Sequence, residues 1–146
     1  MREAGFTLLE LIVALAVLGL LAALVIMRGP PVSHALELHS VVAEIAAGLR
    51  TTRQYAITTD QPAEYTIDLV RRTAHDAEGA AVQLPTGIGV TVLTAAGEVR
   101  SAETVGIRFE PDGSSTGGRI VLADGGRRVG IDVGWLTGRV SVTHAP

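Results

Sequence analysis

Three patterns of apolar and polar positions follow one another along the chain. Residues 6–27 read FTLLELIVALAVLGLLAALVIM, and from Leu11 onward no polar side chain occurs before Arg28. A helix that is apolar on every side is either a membrane span or a helix buried in a large core. At about 1.5 Å per residue this stretch is roughly 33 Å long, enough to cross a hydrocarbon core of about 30 Å. A chain of 146 residues is too small to surround such a helix. The pattern therefore predicts a transmembrane or filament-core helix over residues 6–28.

Gly29-Pro30-Pro31 should break that helix, because proline removes a donor and clashes with the preceding turn. Ser33 is placed to cap a new helix, with Glu37 near its positive end. Leu38, Val41, Val42, Ile45 and Leu49 then recur at three- and four-residue spacing, while Glu37, Glu44, Arg50 and Arg53 fall mainly on other faces. The spacing predicts a kinked continuation of the N-terminal helix over 29–58, with one apolar stripe packed on the chain's own sheet.

After Asp60-Gln61-Pro62 the period changes to two. Tyr65, Ile67 and Leu69 alternate with Glu64, Thr66 and Asp68 in the expected strand Ala63 to Val70. Further strands are expected over Gly87 to Leu93, Val105 to Glu110, Gly118 to Ala123, Arg127 to Val133 and Gly138 to Val142. Gly and Asp punctuate them at Ala96-Gly97, Pro111-Asp112-Gly113, Asp124-Gly125-Gly126 and Thr137-Gly138. Short strands joined by tight turns indicate antiparallel pairing. The fold class is thus α+β: a long N-terminal helix, then an antiparallel β domain over 59–146 in two packed sheets.

Composition narrows the chemistry. With no cysteine there is no disulfide, thiol nucleophile or thiolate metal site. All 12 basic residues are arginine, which removes a Walker phosphate loop, a Schiff-base lysine and a Ser-Lys dyad. The formal charge of −3 argues against a strongly basic nucleic-acid binder. Gly113-Ser-Ser-Thr-Gly-Gly118 lacks a lysine and joins two expected strands, so turn structure is the expected role. His34 and His39 are five residues apart and do not share a helical face as a metal pair would, and His75 and His144 are isolated. Neither a nucleophile elbow nor other triad context accompanies the serines and histidines. No active site, cofactor or metal is expected.

One residue of the apolar helix is out of character. Glu10 places a carboxylate near the end of the span, where it is either solvated at the interface or awaits a cation from another subunit. The apolar run is too long for a removable secretory signal and ends without an A-x-A site. Arg2 and the amino terminus weight the N-terminal side toward the cytoplasm, with Arg28 on the far side.

Gly5-Phe6-Thr7-Leu8-Leu9-Glu10 followed by the apolar run resembles the processing motif of type IV prepilins and type II secretion pseudopilins. The resemblance implies a leader over 1–5, cleavage by a prepilin peptidase between Gly5 and Phe6, and N-methylation of Phe6. It also makes Glu10 the fifth residue of the mature chain, where the family's glutamate pairs with the N-terminal amine of a neighbouring subunit. A buried charge is tolerable when paired, and such a pair would set the axial register of a filament.

Three later stretches are similar to the H-type minor pseudopilins of type II secretion. They are Leu49-Arg50-Thr51-Thr52-Arg53-Gln54-Tyr55-Ala56-Ile57, with Thr52 where alanine is usual; Phe109 to Gly118 with Ile120-Val121-Leu122; and Asp132 with Leu136-Thr137-Gly138-Arg139-Val140. The likeness is weakest between Val70 and Thr104. It implies a non-enzymatic pseudopilus component near the tip, anchored in the inner membrane with its β domain in the periplasm. The implied partners are the prepilin peptidase/methyltransferase, other pseudopilins, the inner-membrane secretion platform, the lipid bilayer and secreted substrate. The alternative is a minor type IV pilin for pilus assembly, motility or DNA uptake.

Two further features touch that family. Some minor pilins bind DNA through C-terminal arginines in a G-R-x-R motif, so Arg127, Arg128 and Arg139, with Arg119, are the residues a nucleic-acid patch would use. Here Gly138-Arg139-Val140-Ser141 lacks the second arginine, and strand charges that discourage edge pairing are the expected role. Nucleic acid is not an expected partner. Asp112, Asp124 and Asp132 bring to mind the calcium of major pseudopilins, but their spacing gives no oxygen-rich loop, and turn chemistry is expected instead.

Overall fold

The structure, a computed structural model, describes residues 8–28, 34–94 and 104–145, with side chains over 8–23, 36–94 and 104–143. The chain divides into two compact units at residues 33 and 34. The first holds helix α1 (Leu8–Arg28), 21 residues long. Every one of its described side chains is exposed. Among the described residues no helix is long and apolar enough to cross a membrane; the side-chain description of α1 stops at Ala23. Residues 29–33, where a kink and the Ser33 cap were expected, lie outside the described residues, as do 1–7.

The second unit opens with α2 (His34–Thr59). Its buried positions are Leu38, Val41, Val42, Ile45, Ala46, Leu49, Thr52 and Ala56, one continuous stripe at helical spacing. The stripe faces the chain's own strands, as its period requires. The helix stops where Asp60 takes a left-handed backbone (φ 53°), and Pro62 follows shortly after.

Eight strands follow: β1 (Ala63–Asp68), β2 (Thr73–His75), β3 (Ala81–Gln83), β4 (Gly89–Thr94), β5 (Thr104–Phe109), β6 (Gly118–Asp124), β7 (Arg127–Val133) and β8 (Val140–Ala145). They form two four-stranded antiparallel sheets, in the orders β3-β2-β1-β5 and β4-β6-β7-β8. Strand β1 shows the expected alternation, with Ala63, Tyr65 and Ile67 buried. Between β6 and β7, Gly125 and Gly126 both have positive φ (53° and 91°), the geometry of a two-residue turn that matches the twist of its strands. α2 packs against both sheets, and the core it closes contains Tyr65, Phe109, Ile45, Leu49, Ile107, Ile120 and Ile131.

Two strands were not expected. β2 and β3 have three residues each, too few to show a period, and they pair with each other and with β1. The turn between them is closed by Asp76, whose carboxylate accepts the amides of Glu78 (3.1 Å) and Ala80 (2.8 Å). Arg72, itself left-handed (φ 54°), fixes the segment after β3, its guanidinium donating to the carbonyls of Leu84 (3.1 Å), Pro85 and Ile88. Two charged side chains replace the missing pattern as organisers of this region.

Thr52 also acquires a reason. Its hydroxyl donates to the Gly48 carbonyl (2.9 Å) and accepts the amide of Ala77 (3.3 Å), tying α2 to the segment after β2. Alanine at this position would leave that amide without the bond. Tyr65 is the reverse case: its ring is buried against Gly48, and its hydroxyl has no hydrogen-bond partner among the described residues.

Candidate functional site

The three stretches that resemble the H-type pseudopilins are far apart in sequence, and one side chain joins them. Arg53, on the last third of α2, donates through Nε to the carbonyl of Gly113 (3.0 Å) and the carbonyl of Thr137 (3.2 Å). Gly113 (φ 83°) and Gly138 (φ 57°) are left-handed, and the space a side chain would need is taken. A Cβ at Gly138 would collide with the Gly113 carbonyl oxygen and lie 2.8 Å from Arg53 Nε. Both glycines are therefore required by backbone conformation and by close approach together.

The loop from Glu110 to Gly117 spends its own donors. The amide of Gly113 bonds the Glu110 carbonyl, that of Ser114 the Asp112 carboxylate, and that of Ser115 the Trp135 carbonyl. The amide of Thr116 bonds the Arg108 carbonyl, and that of Gly117 the Ser115 hydroxyl. Hydrogen bonds from the Ser114 hydroxyl and amide hold the Asp112 carboxyl below its usual range. A phosphate cradle needs such amides pointing outward. Here five successive ones are committed within the fold, so the segment is a structural turn.

The groove between α2 and the β7–β8 turn has a volume of about 460 Å³ and is lined by Arg50, Arg53 and Arg139 along with Gln54 and Thr137. Arg50 was visible only as part of a motif, and nothing in the sequence places it beside Arg139. The next residues in that turn, Trp135 and Leu136, are exposed at 69% and 66%.

The arginines that a nucleic-acid patch would use are dispersed. Arg127 and Arg128 stand exposed at the start of β7. Arg128 pairs with Ala145, whereas Val140, next to Arg139, pairs with Val133 at the other end. Five residues at about 3.3 Å each separate the two ends by roughly 17 Å. Arg119 is held by Asp132 (3.3 Å), which also accepts from the Thr143 hydroxyl (2.9 Å). Among the described residues no three potential ligands gather to hold a metal ion. His75 lies 3.3 Å from the Thr73 hydroxyl, and His39 is exposed; the side chains of His34 and His144 lie outside the described residues. Glu10 sits in the first turn of α1, exposed, while Gly5 and Phe6 fall outside the described residues.

Comparison with known proteins fits this geometry. Residues 1–26 match the prokaryotic N-terminal methylation motif, and residues 41–137 match the family described as type II transport protein GspH. The second match takes in Arg50, Arg53, the 110–117 loop and the turn as far as Thr137. The chain is 39% identical over 140 residues to the type II secretion system protein H of Xanthomonas campestris pv. campestris, covering 93% of this chain and 80% of that protein. The type IV minor pilin FimU of Pseudomonas aeruginosa shares the fold, with a TM-score of 0.54 at 14% identity over 80% of this chain and 93% of that one. The minor pseudopilin EpsH of Vibrio cholerae aligns with a TM-score of 0.49 at 13% identity over 73% of this chain and 93% of that one, below the level at which a common fold follows. The methylation motif, the matched profile and the extent of identity place the chain in the GspH family of type II transport proteins.

Proposed function

We propose that the protein is a minor pseudopilin of the type II secretion apparatus, a structural subunit of the pseudopilus that helps folded proteins cross the outer membrane. The observation that carries this reading is the 39% identity to a type II secretion system protein H over 93% of the chain. The match to the N-terminal methylation motif supports processing: a peptidase cuts between Gly5 and Phe6, and Phe6 is methylated. Glu10 then faces a neighbouring subunit's new amine, and the pair is stable because each charge neutralises the other in an apolar setting.

The apolar sequence of residues 6–27 supports a membrane anchor, since as a helix it would measure roughly 33 Å at about 1.5 Å per residue, enough for a hydrocarbon core of about 30 Å. In this reading the helix holds the chain in the inner membrane, with residues 34–145 in the periplasm. Other pseudopilins and the inner-membrane secretion platform are the partners, and the subunit performs no catalysis.

The test is deletion of the gene in its host, with secreted proteins, surface motility and DNA uptake compared in parallel. Loss of specific exoproteins from the medium, with motility and uptake intact, is the expected result. Normal secretion with failed motility or uptake would transfer the protein to a type IV pilus.

A further inference from the structure

We infer that the groove between α2 and the β7–β8 turn is a docking site for an acidic polypeptide segment of a partner protein. Arg50, Arg53 and Arg139 bring three guanidinium groups to its walls, and no lining residue is acidic. Among the described residues neither Arg50 nor Arg139 is held in an ion pair. Arg53 is fixed through Nε by two carbonyls, and its terminal nitrogens make no hydrogen bond to the described residues. One guanidinium is thus pre-oriented, and two exposed ones flank it.

Three like charges around one groove repel each other until an anion enters. Guanidinium forks match carboxylates in a bidentate manner, and a pre-oriented arginine loses less entropy on pairing. Trp135 and Leu136, exposed in the same turn as Arg139, give that turn apolar surface as well as charge. That combination suits a segment carrying carboxylates next to an apolar anchor. A nucleic-acid duplex fits less well, since it is held by a long row of phosphate contacts. Arg127 and Arg128 lie at the far end of β7, and Arg119 is occupied by Asp132. The groove is short and local, as a peptide site is. This inference holds whichever secretion or pilus system the protein serves, so the deletion experiment above tests a separate matter.

The experiment uses the full chain in a neutral detergent. Fluorescence anisotropy at low salt would follow labelled hexaglutamate, hexaglutamine and a short single-stranded oligonucleotide. Hexaglutamate should bind and hexaglutamine should not. Binding should fall by about tenfold or more in Arg50→Glu with Arg139→Glu, the scale of losing charge-assisted contacts, and stay unchanged in Arg127→Glu with Arg128→Glu. The same pattern in Arg50→Gln with Arg139→Gln, with an unaltered circular dichroism melt, would show that folding is not the cause. Failure of hexaglutamate to bind, equal binding by the groove variants, or groove-dependent binding of the oligonucleotide alone would each overturn the assignment.

Discussion

The two helices of this chain are both rich in aliphatic residues, yet they put them to opposite uses. On α1 every described side chain is exposed, from Leu8 at 77% to Leu21 at 57%. On α2 the apolar residues fall on one stripe, and Ile45 and Leu49 are 0% exposed. The difference is one of period. An apolar surface all round a helix is satisfied only by an environment outside the chain, whereas a stripe is satisfied by a sheet of the same chain. Sequence period thus separates the apolar surface the β-bearing unit buries within itself from the apolar surface left exposed on α1.

The sharpest way to break this comparison is a pair of substitutions. Leu49→Ala empties part of the core between α2 and the sheets and should cost about 2–5 kcal/mol in urea unfolding. Leu15→Asp on α1 should leave that unfolding curve unchanged but raise the cost of membrane insertion by about 3–4 kcal/mol, read as loss of the chain from the membrane fraction. If Leu15→Asp destabilised residues 34–145 instead, the two helices would not divide the work as described.

A smaller effect is expected where the motifs meet. Gly138→Ala forces a left-handed alanine and a collision with the Gly113 carbonyl, costing about 1–3 kcal/mol in the same unfolding assay. Gly79→Ala, also left-handed but with open space around it, should cost less. Equal losses at both sites would mean that backbone strain alone accounts for Gly138.

The smallest effect concerns Tyr65. Its buried hydroxyl finds no partner among the described residues, so Tyr65→Phe should alter stability by no more than about 1 kcal/mol, toward greater stability. Burial, followed by the charges of Asp76 and Glu44, pushes the phenol well above its ordinary 10.0. The folded chain therefore holds a proton that the unfolded chain releases near pH 10. Stability from this group is complete below that pH and erodes as pH rises above it. Thermal melts between neutral and strongly alkaline pH should show a shallower alkaline decline in Tyr65→Phe, and identical declines would remove the argument.

How much of this was legible depends on whether a residue's role is periodic. The α2 stripe and the strand opening at Ala63 were read directly, because burial on one face leaves its spacing in the sequence. The six longer strands shifted by at most three residues at either end. β2 and β3 left no such trace, since three residues cannot display a period and Asp76 and Arg72 do the organising through backbone amides and carbonyls that no residue type advertises. The candidate site was half visible. Its motifs could be read as strings, but that Arg53 joins two of them to α2, or that Arg139 faces Arg50 and not Arg128, depends on strand order. Strand order follows from the packing of whole sheets, which no local signal records.

The Arg53 bonds reach across 60 and 84 positions of chain. Contacts that close such large loops repay their entropy only after the intervening strands are in place. They are therefore expected on the late side of the folding barrier, so that Arg53→Ala should speed unfolding more than it slows refolding in a chevron. The side chain that shapes the groove is therefore also a latch in time: it does little to speed assembly of the β domain, but it lengthens the life of the assembled form.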